Sequence, residues 1–363
     1  MKLTIERNDL INVLKHTTGV VEKRNTIPVL SNILIDASSE TVMFVATDME
    51  IEVSEIVVSK VFETGSVTLP AQTLFDIVRK MNNDDVTIQT EENGQVSISS
   101  GRSKFKLSTL PVSDFPQMPV NKSDCIFSIN ADDFASLIDR VRFAMSIEDA
   151  RYYLNGVYLH SCGDTMKCIA TDGHRLAIAE AVKPDGMELE KGVIIPRKTI
   201  GEVRKILDET SGDVTIFVSS SKISFKICNI VIKSKLIDGT FPDYMRIIPK
   251  DNDKLLTVNV VSFVSAVDRV ATISNEKTRS IKLDLLSNEV SLSSSVSGSN
   301  SKDVIEATFD GEPMDIGFNA RYLLDALGAI KGKDVKMHLG SPDSPAVFEE
   351  ENALYVLMPM RVQ

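Results

Sequence analysis

The stretch Val193 to Leu207, VIIPRKTIGEVRKIL, reads as a short strand, a polar corner at Pro196 to Thr199, and a helix whose apolar residues Ile200, Val203, Ile206 and Leu207 share one face. The same pattern returns at Val67 to Met81 (VTLPAQTLFDIVRKM) and at Ile316 to Ile330 (IGFNARYLLDALGAI). Three looser copies begin at Leu3, Phe127 and Leu256, each with a strand, an Asn or Glu corner and an apolar helix face. The two classes alternate along the chain. Their starting positions differ by 124 and 129 residues in one class and by 126 and 123 in the other. Such a period predicts three tandem α+β domains, each of two half-repeats with β-sheet and two helices laid on one side of it. The expected boundaries are 1–122, 123–249 and 250–363.

Between these units the chain reads as β-strand. Val29 to Ile35, Val42 to Ala46, Ile51 to Val58 and Gly65 to Leu69 are strand-like in the first domain, and Asn93-Gly94 signals a hairpin. Two proline-bearing segments, Leu110 to Lys122 and Gly239 to Asp253, lack periodicity and read as linkers, with Phe115-Pro116 mirrored by Phe241-Pro242.

Composition narrows the function classes. Among 363 residues, 43% are hydrophobic and 25% charged, which is enough to build several cores. There is no run of about 18 apolar residues and the N-terminal stretch carries Glu6, Arg7, Asp9 and Lys15, so neither a membrane span nor a signal peptide is expected. A cytoplasmic, nucleoid-associated protein is the expectation. Cys125, Cys162, Cys168 and Cys228 lack metal-ligand or CxxC spacing and read as reduced thiols; no metal or cofactor is expected.

Charge is segregated. The six helical segments carry sixteen basic and eleven acidic residues, net +5, in a chain of net −11, so the remainder carries −16. A basic helical layer inside an acidic β-rich shell suits the enclosure of a polyanion. Six helices side by side at ~10 Å each leave a hole of only ~9 Å, whereas twelve leave ~28 Å. Groove dimensions make a DNA duplex roughly 20 Å across, so one chain cannot encircle it and two can.

The chain resembles the bacterial sliding clamp, the beta subunit of DNA polymerase III, over essentially its whole length. The resemblance rests on Ser100-Gly-Arg-Ser-Lys-Phe-Lys-Leu-Ser-Thr-Leu-Pro111, Arg151-Tyr-Tyr-Leu-Asn-Gly156, Ala170-Thr-Asp-Gly-His-Arg-Leu176, Ser274-Asn-Glu-Lys277 and Tyr355-Val-Leu-Met-Pro-Met-Arg361. It implies a homodimeric ring, helices lining the hole and sheets outside, that encircles duplex DNA without reading sequence. The ring would tether the replicative polymerase and accept the clamp loader, other polymerases and repair proteins through a short clamp-binding peptide.

By the same resemblance, that peptide enters a pocket formed by Arg151, Leu154, Thr171, Gly173, His174, Arg175, Leu176, Pro242, Arg246, Ile247, Asn319, Tyr322, Val356, Leu357, Met358, Pro359, Met360 and Arg361. Met358 and Met360 would supply an adaptable apolar wall, and arginines would hold peptide carbonyls or a carboxylate. Residues matching DNA contacts are Arg24, Tyr152, Tyr153 and Lys198. Ring closure would use Leu74, Ile77, Lys104, Phe105 and Leu107 against Thr272 and Ile273 of the other copy. The tail from Met358 to Arg361 is expected to be mobile until a peptide binds. The chain departs from the family pattern at Ser295 to Ser301, SVSGSNS, where acidic residues are familiar, and at Gln72-Thr73, Glu148 and Thr278.

Two other readings compete. Asp172 and His174 invite a hydrolytic acid/base reading, against which stands the absence of any convergent nucleophile. A peptide-binding scaffold that does not encircle DNA would keep the pocket and lose the topological link.

Overall fold

The computed structural model describes residues 1–22, 26–82, 85–91, 94–119 and 122–362, the side chain of Asp149 excepted. All six expected strand–helix units are present. The strands Lys2–Glu6, Gly65–Pro70, Cys125–Asn130, Val193–Pro196, Lys254–Asn259 and Met314–Asn319 lead directly into helices α1 (Arg7–Thr18), α2 (Ala71–Lys80), α3 (Ala131–Val141), α4 (Arg197–Leu207), α5 (Val260–Ala271) and α6 (Ala320–Ala329).

The corner residues show why the chain turns there. Pro70 and Pro196 close their strands, and a proline ring suits the entry to a helix, where the missing N–H goes unused. Three asparagines cap instead. Asn130 Oδ1 accepts from Asp132 N at 2.9 Å, Asn259 Oδ1 from Ser262 N at 3.1 Å, and Asn319 Oδ1 from the amides of Arg321 and Tyr322 at 3.0 and 3.3 Å. Each helix then buries one stripe: in α1 it is Leu10, Val13, Leu14 and Thr17, in α4 Ile200, Val203, Ile206 and Leu207 among others.

The chain forms two compact units, one of residues 1–132, 184–187 and 198–236, the other of 133–183, 188–197 and 237–363. Sheet sharing explains why three sequence repeats give two units. In the first unit Ile230–Lys235, from the second repeat, pairs antiparallel with Ile51–Val58 of the first, within a sheet of eight strands. A second, five-stranded sheet runs in the order Lys60–Glu63, Lys2–Glu6, Asp85–Thr90, Gln95–Ser100, Ser103–Ser108. In the second unit Ala353–Leu357, from the third repeat, pairs antiparallel with Arg175–Val182 of the second, within a twelve-stranded sheet. Helices α1 and α2 pack on each other in the first unit and α5 and α6 in the second.

Several local expectations are corrected. Pro28–Ser31 is a 3-10 turn, so the first long strand starts at Asn32 and not Val29, consistent with proline setting the turn. Lys60–Glu63 is a strand that the sequence does not announce, being mostly exposed and therefore without apolar alternation. The two linkers are not bare connections. Phe115 and Met118 of the first are buried, and Met118 N donates to the Glu52 carboxylate at 2.7 Å; Phe241 and Tyr244 of the second are buried as well. The Asn93 part of the expected hairpin lies outside the described residues, while Gly94 has the left-handed φ of +71° that such a turn requires.

No helix among the described residues is long and apolar enough to cross a membrane. Cys168 is buried, and desolvation pushes its thiol up to about 12, away from nucleophilic or metal-binding behaviour.

One buried charge cluster braces the first unit. His16 of α1 donates from Nδ1 to Glu55 Oε2 at 2.8 Å and from Nε2 to Glu209 Oε2 at 3.2 Å, and Lys15 pairs with Glu209 beside it. Burial opposes protonation of the imidazole, but the hydrogen bonds and charges of Glu55 and then Glu209 outweigh it and raise its pKa. A raised folded-state pKa means the stabilisation is fully present below the ordinary histidine value near 6.5 and is lost as pH rises through the elevated one. His16→Ala is expected to cost about 1–3 kcal/mol at pH 6, because Glu55 is left buried with a partner missing, and less at pH 9. Denaturant melts at the two pH values check this; an equal loss at both would contradict it.

Candidate partner-peptide groove and nucleic-acid contacts

The candidate groove is built around a turn whose sequence dictates its shape. Thr171, Asp172, Gly173 and His174 join Thr165–Thr171 to Arg175–Val182. Gly173 takes a φ of +88°, a conformation that a side chain strains. Asp172 Oδ1 accepts from the amides of His174 and Arg175 at 2.9 and 3.1 Å, while Thr171 Oγ1 donates to Arg175 O at 2.7 Å and accepts from Gly173 N at 3.1 Å. A Cβ on Gly173 would also meet the Arg151 guanidinium, which is tied to Glu148 at 2.7 Å.

Arg175 is the most constrained charge in the groove. Its side chain is 10% exposed and meets Asp172 Oδ2 from Nε at 3.0 Å, Asp325 Oδ2 from Nη1 at 2.6 Å and Phe143 O from Nη2 at 2.6 Å. The guanidinium also lies over the rings of Tyr322, at 4.4 Å, and Phe143, at 5.3 Å. His174 is exposed and stacks on Tyr322 at 6.1 Å and 22°. Asp172 is thus occupied by the turn and by Arg175, which gives this Asp and His a structural account in place of an acid/base one.

The apolar floor follows from strand register. Leu176 faces Val356 across the pairing of Arg175–Val182 with Ala353–Leu357, and Arg175 faces Leu357. Leu154, Leu176 and Val356 are buried together with Ile178, Phe241, Tyr244 and Val347 in one cluster. Phe241 stacks flat on Tyr158 at 4.7 Å and 5°, and His160 Nε2 accepts from Tyr244 OH at 3.0 Å while Nδ1 donates to Ser161 O at 3.2 Å. Burial lowers the His160 pKa, keeping the ring neutral and able to accept. These contacts hold the segment bearing Pro242, Arg246 and Ile247; Arg246 itself is exposed and paired with Asp243.

The tail comes to the same turn. Met358 N donates to His174 O at 2.9 Å and Met360 N to Gly317 O at 2.9 Å. Gly317 lets the tail cross the strand, since a Cβ there would collide with Val362 and the Met360 carbonyl. These two backbone hydrogen bonds place the tail beside the turn and the strand Met314–Asn319. Met358 keeps 41% of its surface exposed, Pro359 and Met360 are half-buried, and Arg361 is exposed. Asn319 caps α6 and so aims Tyr322 at His174 and Arg175. An apolar floor, a sulfur-bearing wall and cationic rims are the chemistry that takes up an extended peptide with apolar side chains.

Sequence reasoning missed Phe143, Asp325, Tyr158, His160 and Tyr244. Asp325 sits one helical turn beyond Tyr322, the signal that could have found it; Tyr158 and His160 lie on the strand Gly156–Cys162 and Phe143 and Tyr244 in short 3-10 turns, all brought in by long-range packing that no local pattern reports.

The residues matched to DNA contacts divide. Arg24 lies outside the described residues. Tyr152 is 55% exposed and Tyr153 half-buried, with rings edge to face at 5.9 Å and 77°. Lys198 spends its ammonium on Asp48 Oδ2 at 2.5 Å and Val20 O at 2.9 Å. Among the ring-closing residues, Phe105 is 39% exposed and Ile77 and Leu107 are half-buried, whereas Leu74 belongs to the core of the first unit and presents no surface. Thr272 is exposed and Ile273 half-buried.

Fold and candidate site define a class: a scaffold made by threefold duplication of paired strand–helix units, with shared sheets and a C-terminal tail hydrogen-bonded to the Thr171–His174 turn. Three family profiles of the DNA polymerase III beta subunit match in succession, the N-terminal domain over residues 1–119, the central domain over 128–243 and the C-terminal domain over 245–361. The beta sliding clamp of Caulobacter vibrioides is 43% identical over 372 residues, and that of Escherichia coli K12 35% identical over 369, each covering the whole of both chains. The crystal structure of a sliding clamp from Bartonella birtlesii bound to griselimycin superposes with a TM-score of 0.96 at 42% identity over all of both chains. The chain belongs to the family of the DNA polymerase III beta subunit, the bacterial beta sliding clamps.

Proposed function

We propose that this chain acts as a DNA sliding clamp: two copies close head to tail into a ring around duplex DNA and tether the replicative polymerase, with no chemistry of their own. Each copy contributes three domains, 1–122, 123–249 and 250–363, and works in the cytoplasm on the nucleoid. The observation that carries this reading is full-length membership of the family joined to six strand–helix units in one chain. Phosphate-directed contacts carry no sequence information, so a ring held by them slides with little change in energy.

Two open sheet edges support closure. Ser103–Ser108 ends its sheet with most of its residues exposed. Ser299–Asp310 pairs with Lys254–Asn259 only from residue 307 onward, which leaves residues 299–306 with one neighbour, the strand Glu289–Val296. Such edges invite pairing with another chain. Ile77, Phe105 and Leu107 on one side, and Thr272 and Ile273 on the other, supply the apolar part. Asp303 is already taken by Arg269, at 2.6 and 2.8 Å, and the adjoining hairpin is serine-rich. Dimerisation is therefore expected to depend weakly on salt; sedimentation at low and high ionic strength checks it, and a large loss of dimer on adding salt alone would contradict it.

The clamp loader, other polymerases and repair proteins are read as partners through the groove at Leu154, Leu176, Val356 and Met358. Tyr152 offers an open ring to an unpaired base, and Lys198 reaches a phosphate only by leaving Asp48. Added with a loader to a primed circular template, the protein should let the polymerase finish the circle in one binding event. Unchanged product lengths would overturn the reading.

A further inference from the structure

The duplication makes the same sheet seam twice, with opposite chemistry. Ile51–Val58 follows the turn Thr47, Asp48, Met49, Glu50, whose hydrogen bonds repeat those of Thr171 to His174: Asp48 Oδ1 accepts from the amides of Glu50 and Ile51 at 2.8 Å each, and Thr47 Oγ1 donates to Ile51 O at 2.9 Å. Glu52 therefore stands where Leu176 stands in the second unit. Its register partner is Lys233, where Leu176 has Val356. The apolar pair of one seam is an ion pair of 2.7 Å in the other, its carboxylate 3% exposed and also holding Met118 N.

Beside that ion pair lies a cavity of about 360 Å³, at the lower end of the size range of small-ligand sites. Strand alternation puts Lys222, Ser224 and Lys226 on one face of Lys222–Ile227. Ser224 lies opposite Phe217 on one neighbouring strand and Lys233 on the other, and Lys226 lies opposite Val231. The small Ser224 thus leaves a hollow beside the Phe217 ring, with Val231 diagonally across it and lysines around it. Lys222 donates to the Pro119 carbonyl, at 3.3 Å. None of the described residues lining the cavity is acidic, in a protein of net charge −11; another cavity of the same unit is lined by Glu6, Asp9, Glu40 and Asp85.

We propose that this hollow is a second docking site, for an acidic peptide segment that inserts one apolar side chain over Ser224, between Phe217 and Val231. The carboxylates of the segment meet Lys222 and Lys226. Lys233 stays on Glu52 and stiffens the floor. The site stands independently of the candidate groove in the second unit, being made from different residues.

Fluorescence anisotropy with the full-length protein and fluorescein-labelled Asp-Asp-Phe-Asp-Asp tests it. The expected result is binding that weakens with salt, at least about tenfold loss in the double variant Lys222→Glu, Lys226→Glu with unchanged melting temperature, and a similar loss in Ser224→Trp, which fills the hollow. The peptides Lys-Lys-Phe-Lys-Lys and Asp-Asp-Gly-Asp-Asp should bind at least about tenfold more weakly. Binding unaltered in the double lysine variant, or equal binding of the basic or glycine peptide, would overturn the proposal. So would tighter binding of a thymidine oligonucleotide that the same lysine changes abolish, since the surface would then be a nucleic-acid site.

Discussion

A Phe105→Asp variant is expected to sediment as a monomer and to be lost from circular DNA, while melting close to the wild-type temperature. Phe105 lies on the terminal strand of its sheet and is 39% exposed in the single chain, so removing it disturbs little of the first unit's core. In a closed pair its ring would be covered. Fully burying an aromatic side chain is worth about 1.5–3 kcal/mol, so covering the 39% still exposed is worth about 0.6–1.2 kcal/mol, and a ring of two, with two closures, loses about 1–2 kcal/mol. That weakens dimerisation by roughly one to two orders of magnitude, before the larger cost of desolvating the aspartate. A variant that stays dimeric at nanomolar concentration would show that the ring does not close through this edge.

Arg175→Ala is expected to produce the largest loss in the second unit, in stability and in partner binding together. The guanidinium neutralises Asp172 and Asp325, satisfies the Phe143 carbonyl and lies between two rings. Removing one partner of such a pair leaves carboxylates partly buried and without their counter-charge, a cost of about 3–5 kcal/mol. For a unit of this size that corresponds to a fall in melting temperature of roughly 6–20 °C. The same change frees Tyr322 and loosens the Asp172 turn, so a peptide anchored over Leu176 loses its wall. Arg175→Lys should restore little of either, because an ammonium cannot serve three acceptors in one plane and stack as well. Calorimetry and peptide titration of both variants check this; wild-type melting of Arg175→Ala would contradict it.

The repeat was legible because each strand–helix unit writes its own signature: alternation before the corner, a proline or capping asparagine at it, and a helical stripe after it. Asn259 and Asn319 could be read as corners from sequence alone and prove to be caps. What sequence could not show is pairing across repeats. Nothing near Leu176 announces Val356 as its neighbour, and nothing near Glu52 announces Lys233, because strand register over more than a hundred residues is set by the whole sheet. The division into two units follows from those seams. Lys198 and Asp48 teach the same lesson in charge: a basic residue on a helix expected to face DNA is committed, 150 positions away in sequence, to a carboxylate in a turn. The groove residues Thr171, Gly173, His174 and Arg175 were legible only through resemblance to the family. Their spacing identifies a tight turn, and the partner that holds Arg175, Asp325, lies on α6.

The central claim is enclosure: an acidic protein holds DNA by surrounding it, with six helices of each copy facing the duplex. The most direct measurement loads the labelled protein onto a nicked circular plasmid with a clamp loader, isolates the complex by gel filtration, and cuts the plasmid once. The account predicts that the protein stays with the circle through salt that abolishes ordinary electrostatic binding and leaves within minutes of linearisation. Equal retention on circular and linear DNA would contradict it.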